Sequence, residues 1–214
     1  MPGYPIELDL AGRSALVVGL GTVGRRKAAG LVAAGARVLG VDPAVGTPGL
    51  PAGIEARAEA YRIDHLRGVV LVVAAATAAV NRRVVTDAQE RDIWVNSASD
   101  PAAGNFRVPA IWRDGPVTLT VSTAGASPAL AAAMRDRAAA ALGPAAAGLA
   151  RLLAELRPEV RARLPDPGTR RRLLADWADP RWQDLWIASG PEAVRRELLL
   201  ALGRAGEPPA DAEP

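Results

Sequence analysis

Cysteine is absent from this 214-residue chain, and histidine occurs once, at position 65. The first absence excludes disulfides, thiolate metal sites and a cysteine nucleophile, and it suits a reducing compartment. The second excludes metal ligation by a histidine cluster. His65 lies in Ile63-Asp64-His65-Leu66-Arg67, where a surface role is expected for it. Lysine is almost missing too. Lys27 is the only one, so the net charge of +3 rests on arginine. Arginine suits bidentate binding of carboxylates or phosphates, although a codon bias toward arginine and alanine would produce the same composition. The basic residues are dispersed and not interleaved with aromatics, so no nucleic-acid partner is expected. The longest apolar run, Val69 to Val80, falls short of the roughly 20 residues a membrane span needs. Met1 to Asp9 has neither the basic nor the apolar region of a signal peptide. A cytoplasmic protein without a membrane partner is the expectation.

What is present begins with Gly19-Leu20-Gly21-Thr22-Val23-Gly24. The apolar run Ala15 to Val18 precedes it, and a helical stretch from Val23 to Ala34 follows. Gly19 permits the tight turn, Gly21 lets a pyrophosphate approach the backbone, and Gly24 lets helix and strand pack closely. Free N–H groups at the helix start, at Thr22 and Val23, would face the phosphates. A second strand, Arg37 to Val41, ends on Asp42. An acid there can bond both ribose hydroxyls and would repel a 2′-phosphate, which favours NAD over NADP. The loop from Pro43 and Ala44 to Gly53 would cover the adenosine side. Asp42 could equally be a strand-end cap.

Strand and helix keep alternating to about Asn96. Ile54 to Ala58 reads as a third strand, Val69 to Ala76 as a strand buried on both faces, Val80 to Arg91 as a helix and Ile93 to Val95 as a fifth strand. The fold class is α/β, a Rossmann-type doubly wound parallel sheet. A small α+β dimerisation region and a C-terminal helical domain follow it. Phe106 to Trp112 and Val117 to Thr123 read as strands around the turn Arg113-Asp114-Gly115-Pro116. Ser127-Pro128 starts a helix to about Leu142. The segment beyond Gly143-Pro144 is helical, interrupted at Pro158, Pro165, Pro167 and Pro180, with Trp177, Trp182 and Trp186 as its core. The expected division is 1–113 for the nucleotide-binding domain, 114–143 for dimerisation, 144–205 for the helical domain and 206–214 for a disordered tail.

Four segments in order resemble the precorrin-2 dehydrogenases, the NAD-dependent module of siroheme synthesis, found alone or fused to a methyltransferase. They are Gly21 to Ala28 with Ala34 to Val38; Val72 to Thr77 with Val80-Asn81; Val95 to Pro101 with Asn105-Phe106 and Val108 to Ala110; and Thr120 to Ala131. The match covers about residues 6 to 142. The resemblance implies oxidation of precorrin-2 to sirohydrochlorin with NAD as cofactor, iron insertion in some members, and a homodimer. The family's catalytic acid falls on Ser99, and the next acid is kept as Asp100. A family serine near the tetrapyrrole falls on Thr123. These three are the catalytic candidates, with Asp100 the only acid among them. Asn96, Asn105, Phe106 and Ser127 are the substrate candidates, and Asn81 and Asn96 could instead cap backbone at strand ends. Asp100 could be no more than a turn residue before Pro101. Arg25, Arg26 and Lys27 could approach phosphate or line a solvated helix face. No resident metal is expected, and iron insertion is the activity most in doubt because the acidic pair after the family's threonine is here Ala78-Ala79. A non-catalytic tetrapyrrole- or NAD-binding member, or a regulatory NAD-binding subunit, are the alternatives.

Overall fold

Seven strands and six α-helices are seen in the computed structural model, which describes residues 3–46 and 48–206. The chain divides into two compact units, residues 1–108 and 109–214.

The first unit is a five-stranded, fully parallel sheet. Its strands are β1 (Ser14–Val18), β2 (Arg37–Val41), β3 (Ile54–Arg57), β4 (Val69–Ala74) and β5 (Trp94–Ser97), in the order β3-β2-β1-β4-β5. Helix α1 (Thr22–Ala33) follows β1, and α2 (Ala78–Gln89) follows β4. Alternation along the strands explains both faces. Ala15, Val17, Leu71 and Val73 join the core that contains Ala28 of α1. Leu16, Val18, Val72 and Ala74 join the core that contains Val84, Val85 and Ala88 of α2. Side chains alternate with a period of two, so a strand apolar at every position fills both cores. Each fully buried Val or Leu contributes about 1.5–3 kcal/mol. Gly35 ends α1 at φ +81°, where Cβ-bearing residues are disfavoured. Strand order reverses between β1 and β4. The crevice at the carboxyl ends of these two strands is where an open α/β sheet binds ligands.

The second unit opens with an antiparallel hairpin, β6 (Ala110–Asp114) and β7 (Val117–Val121), joined at Gly115-Pro116. The first strand is shorter than expected. Residues 106–109 are not strand, and residues 113–114 belong to β6 rather than to the turn. Helix α3 (Pro128–Leu142) starts as the sequence predicts, with Ser127 Oγ accepting from the Leu130 N–H at 3.2 Å. Three further helices follow: α4 (Ala146–Arg163), α5 (Pro167–Asp176) and α6 (Arg181–Gly206), the last broken at Gly190 ahead of Pro191. They enclose Leu152, Leu156, Val160, Trp177, Trp182, Val194, Leu198 and Leu202, with Trp186 packed alongside. Helix α4 runs through Pro158 instead of stopping there. Leu156 and Val160 on either side of the proline are buried. Their burial offsets the roughly 3 kcal/mol that a proline inside a helix costs. Among the described residues no single helix is long and apolar enough to cross a membrane. The tail expected at 206–214 lies outside the described residues, apart from Gly206, which ends α6.

Candidate active site

The turn after β1 is built by close backbone contacts. Gly19 has φ +90°, and its N–H donates to the Val41 carbonyl at 2.9 Å. A Cβ on Gly19 would stand 2.5 Å from the Ala75 carbonyl oxygen, beyond the end of β4. A Cβ on Gly24 would stand 1.8 Å from the Gly19 carbonyl oxygen, which explains how closely α1 approaches the strand. Gly21 differs. It is the N-cap of α1, without a side-chain cap, and a Cβ there would meet nothing within 4 Å. The first N–H groups of the helix, with Thr22 and Val23, have no partner inside the helix. Open space over Gly21, beside uncapped amides, is the shape a pyrophosphate requires, and the turn fits a dinucleotide.

Asp42 leaves the tip of β2 and reaches this turn. Its Oδ2 accepts from the Leu20 N–H at 2.7 Å, and its Oδ1 accepts from the Ala44 N–H at 2.9 Å. Each carboxylate oxygen retains a lone pair for a further donor. Pro43 and Ala44 form an exposed turn beyond it. Arg25 completes the arrangement. Its Nε donates to the Leu20 carbonyl at 2.7 Å, and its terminal nitrogens donate to the carbonyls of Gly46 and Pro48. Helix α1 thus ties the glycine turn to the loop after Asp42. Sequence reasoning left Arg25 between a ligand contact and a solvated face, and tying the loop was missed. Lys27, partly buried on the same helix, has its pKa lowered by burial and by Arg26.

A second cluster forms after β4 and β5. Asn81 is buried. Its Oδ1 accepts from the Ala76 N–H at 2.9 Å, and its Nδ2 donates to the Ala76 carbonyl at 3.1 Å and to Ser99 Oγ at 2.9 Å. Ser97 Oγ accepts from the Asp100 N–H at 3.2 Å. Asp100 Oδ1 accepts from the N–H groups of Ala102 at 3.1 Å and Ala103 at 3.3 Å, closing a turn. Ser99 and Asp100 are exposed and line a cleft with Ala78, Arg82 and Ala103. Asn105 and Phe106 lie along β5. Asn105 Oδ1 accepts from the Val95 N–H at 2.7 Å, and Asn96 Nδ2 donates to the Phe106 carbonyl at 3.1 Å. Both asparagines are engaged with backbone, and Phe106 packs against the core on the α1 face.

Thr123 and Ser127 belong to the second unit. Thr123 Oγ1 donates to the Ser127 carbonyl at 3.0 Å and accepts from the Ser127 N–H at 3.1 Å. The pair closes a turn through Ala124 and Gly125, both at positive φ.

His65 is a correction. It is buried rather than on the surface, with only 3% of its side chain exposed. Its Nδ1 accepts from the Arg62 N–H at 3.1 Å, and its Nε2 lies 3.1 Å from Glu59 Oε1. Both ring nitrogens are satisfied locally, so burial costs little. Hydrogen bonding from Arg62, then from His65, holds the Glu59 pKa below its ordinary value. Nearby, burial and the bond to Asp87 raise the Tyr61 phenol. Among the described residues no group of three or more His, Asp or Glu could hold a metal.

Two family models match successive parts of the chain. Residues 6–110 match the family model described as putative NAD(P)-binding, and residues 145–202 match the sirohaem synthase dimerisation region. The siroheme synthase of Nitrosomonas eutropha is 33% identical over 215 residues, which is 98% of this chain and 45% of that protein. That of Thioalkalivibrio sulfidiphilus is 36% identical over 212 residues, 94% of this chain and 42% of the relative. The chain spans less than half the length of these curated relatives. Among solved structures, SirC, precorrin-2 dehydrogenase, is similar with a TM-score of 0.76 at 27% identity, covering 94% of this chain and 100% of that one.

Proposed function

We infer the function from one premise: this chain belongs to the precorrin-2 dehydrogenase family of siroheme synthesis. The reading is an NAD-dependent oxidoreductase that converts precorrin-2 to sirohydrochlorin. The observation that carries it is the likeness to SirC over the whole of that protein, together with a glycine turn that leaves open space at Gly21.

Gly19, Gly21, Thr22, Val23 and Gly24 would hold the pyrophosphate of NAD, and Asp42, with Pro43 and Ala44, the adenosine ribose. NAD is preferred over NADP because the Asp42 carboxylate repels a 2′-phosphate. NAD held there would supply the hydride acceptor for the substrate. The accompanying proton needs an acceptor within hydrogen-bond reach. Asp100 is assigned that role and Ser99 that of orienting the tetrapyrrole; Asn96, Asn105 and Phe106, and Thr123 and Ser127 of the second unit, are assigned to the substrate by the family resemblance alone. Positioning substrate and nicotinamide together supplies much of the rate, up to roughly 7–11 kcal/mol in intramolecular models. Iron insertion is left out of this reading, because the acidic pair after the family's threonine is here Ala78-Ala79.

The protein works as a homodimer in the cytoplasm. In this reading residues 1–113 bind NAD, while residues 114–143 and the stretch 145–202 serve dimerisation. On α3, Leu130 is 53% exposed and Met134, one turn on, 48% exposed, an apolar strip suited to a second copy. One observation favours a second reading, a tetrapyrrole-binding member without turnover: Asp100 Oδ1 is committed to its own turn. Anaerobic incubation with precorrin-2 and NAD separates the two. The sirohydrochlorin spectrum and NADH rise together if the enzyme turns over, and neither appears otherwise.

A further inference from the structure

We propose that Arg82 and Ser99 form a carboxylate-binding site for an acidic side chain of the tetrapyrrole; this rests on the dehydrogenase reading above. Both residues line the cleft after β4 and β5, Arg82 from α2 and Ser99 from the loop after β5. Among the described residues the Arg82 guanidinium makes no salt bridge and no side-chain hydrogen bond, while its neighbour Arg83 lies 3.7 Å from the Asp87 carboxylate. The Ser99 oxygen already accepts from Asn81 Nδ2. Its O–H proton is therefore left to donate outward. Asp100 shares the cleft, but its Oδ1 accepts from two amides of its own loop. The cleft thus offers a forked cation and a hydroxyl donor at the carboxyl ends of the strands, where ligands bind in this fold. Precorrin-2 carries acetate and propionate groups around its ring, and one of these fits the pair. The serine at the position of the family's acid acquires a use here: a carboxylate at 99 would repel the group that a hydroxyl attracts.

Uroporphyrin, a stable tetrapyrrole ringed with carboxylates, is the probe, with its dissociation constant read by fluorescence quenching. Arg82→Gln weakens it about tenfold, the loss of one charge-assisted hydrogen bond. Arg82→Lys, which keeps the charge without the fork, falls between. With precorrin-2, Arg82→Gln raises KM at unchanged kcat, and NAD affinity stays as in the parent. Equal uroporphyrin affinity in parent and Arg82→Gln overturns this site and leaves the dehydrogenase reading standing. Weakened NAD binding in Arg82→Gln overturns it too, because the cation would then serve the cofactor. A parent that binds NAD but neither uroporphyrin nor precorrin-2 overturns the dehydrogenase reading and this site with it.

Discussion

The turn after β1 and the loop after β5 close carboxyl ends of strands in one sheet, yet they are built from different materials. The first is backbone. Gly19 and Gly24 are held by contacts that no Cβ would survive, and Gly21 is held open. The second is side chain: Asn81, Ser97, Ser99 and Asp100 shape it through hydrogen bonds that other polar residues could replace. A phosphate site made of amides demands glycine and tolerates almost no change. A proton-handling site asks only for the right group in reach, so its residues are free to drift while the loop survives.

Gly24→Val breaks that comparison hardest. Its Cβ would lie within 1.8 Å of the Gly19 carbonyl oxygen. Helix α1 must shift, at a cost of about 3 kcal/mol or more, the upper range for overpacking, read in a urea melt. Gly21→Val is its partner experiment. Nothing stands within 4 Å of the added carbon, so the melt is unchanged while calorimetric NAD binding disappears. If both variants unfold alike, the two glycines do not have separate jobs.

On the side-chain end, Asp100→Asn keeps an Oδ1 acceptor for Ala102 and Ala103 and loses only the charge. The turn stays and the rate of NADH formation falls about a hundredfold, the size of a general-base contribution. A full rate would leave Asp100 a turn residue alone. Ser99→Asp raises kcat by supplying a second base and raises KM by repelling substrate carboxylate. Asp42→Ala comes next. It removes acceptors from Leu20 and Ala44 and weakens NAD by about 1.5–3 kcal/mol at most, the worth of a charged hydrogen bond, while the gap to NADP narrows. Titrations with both dinucleotides read it directly.

Glu59→Gln touches neither end and has the smallest effect. Because the folded Glu59 pKa is lowered, its contribution is complete above the ordinary value near about 4.3 and fades as pH falls through the folded value. Parent and variant melts differ slightly at neutral pH and converge in acid. A gap that widens in acid contradicts the Arg62–Glu59–His65 arrangement.

The parallel sheet and the glycine turn were legible in the sequence because both are local demands: a strand apolar at every position, and a turn that only glycine allows. Helix α3 was legible to the residue through Ser127, Pro128 and Gly143. Tertiary bonds carried the rest. His65 reads as polar surface until Arg62 and Glu59 are seen to satisfy both ring nitrogens. Pro158 reads as a stop until Leu156 and Val160 are seen buried on either side of it. Asn105 bonds along β5 to residues ten and twelve positions away, which no local pattern announces. Arg25 has no local signature for a bond to a carbonyl twenty-three residues on.

Asn81 presents a donor to residue 99, and an amide N–H is satisfied equally by a hydroxyl oxygen or by a carboxylate oxygen. Exchange between serine and aspartate at that position therefore demands no repair elsewhere in the loop. The scaffold is indifferent to a substitution that changes the charge of the cleft. Either residue at position 99 leaves the Asn81 amide with an acceptor, and the loop with its shape.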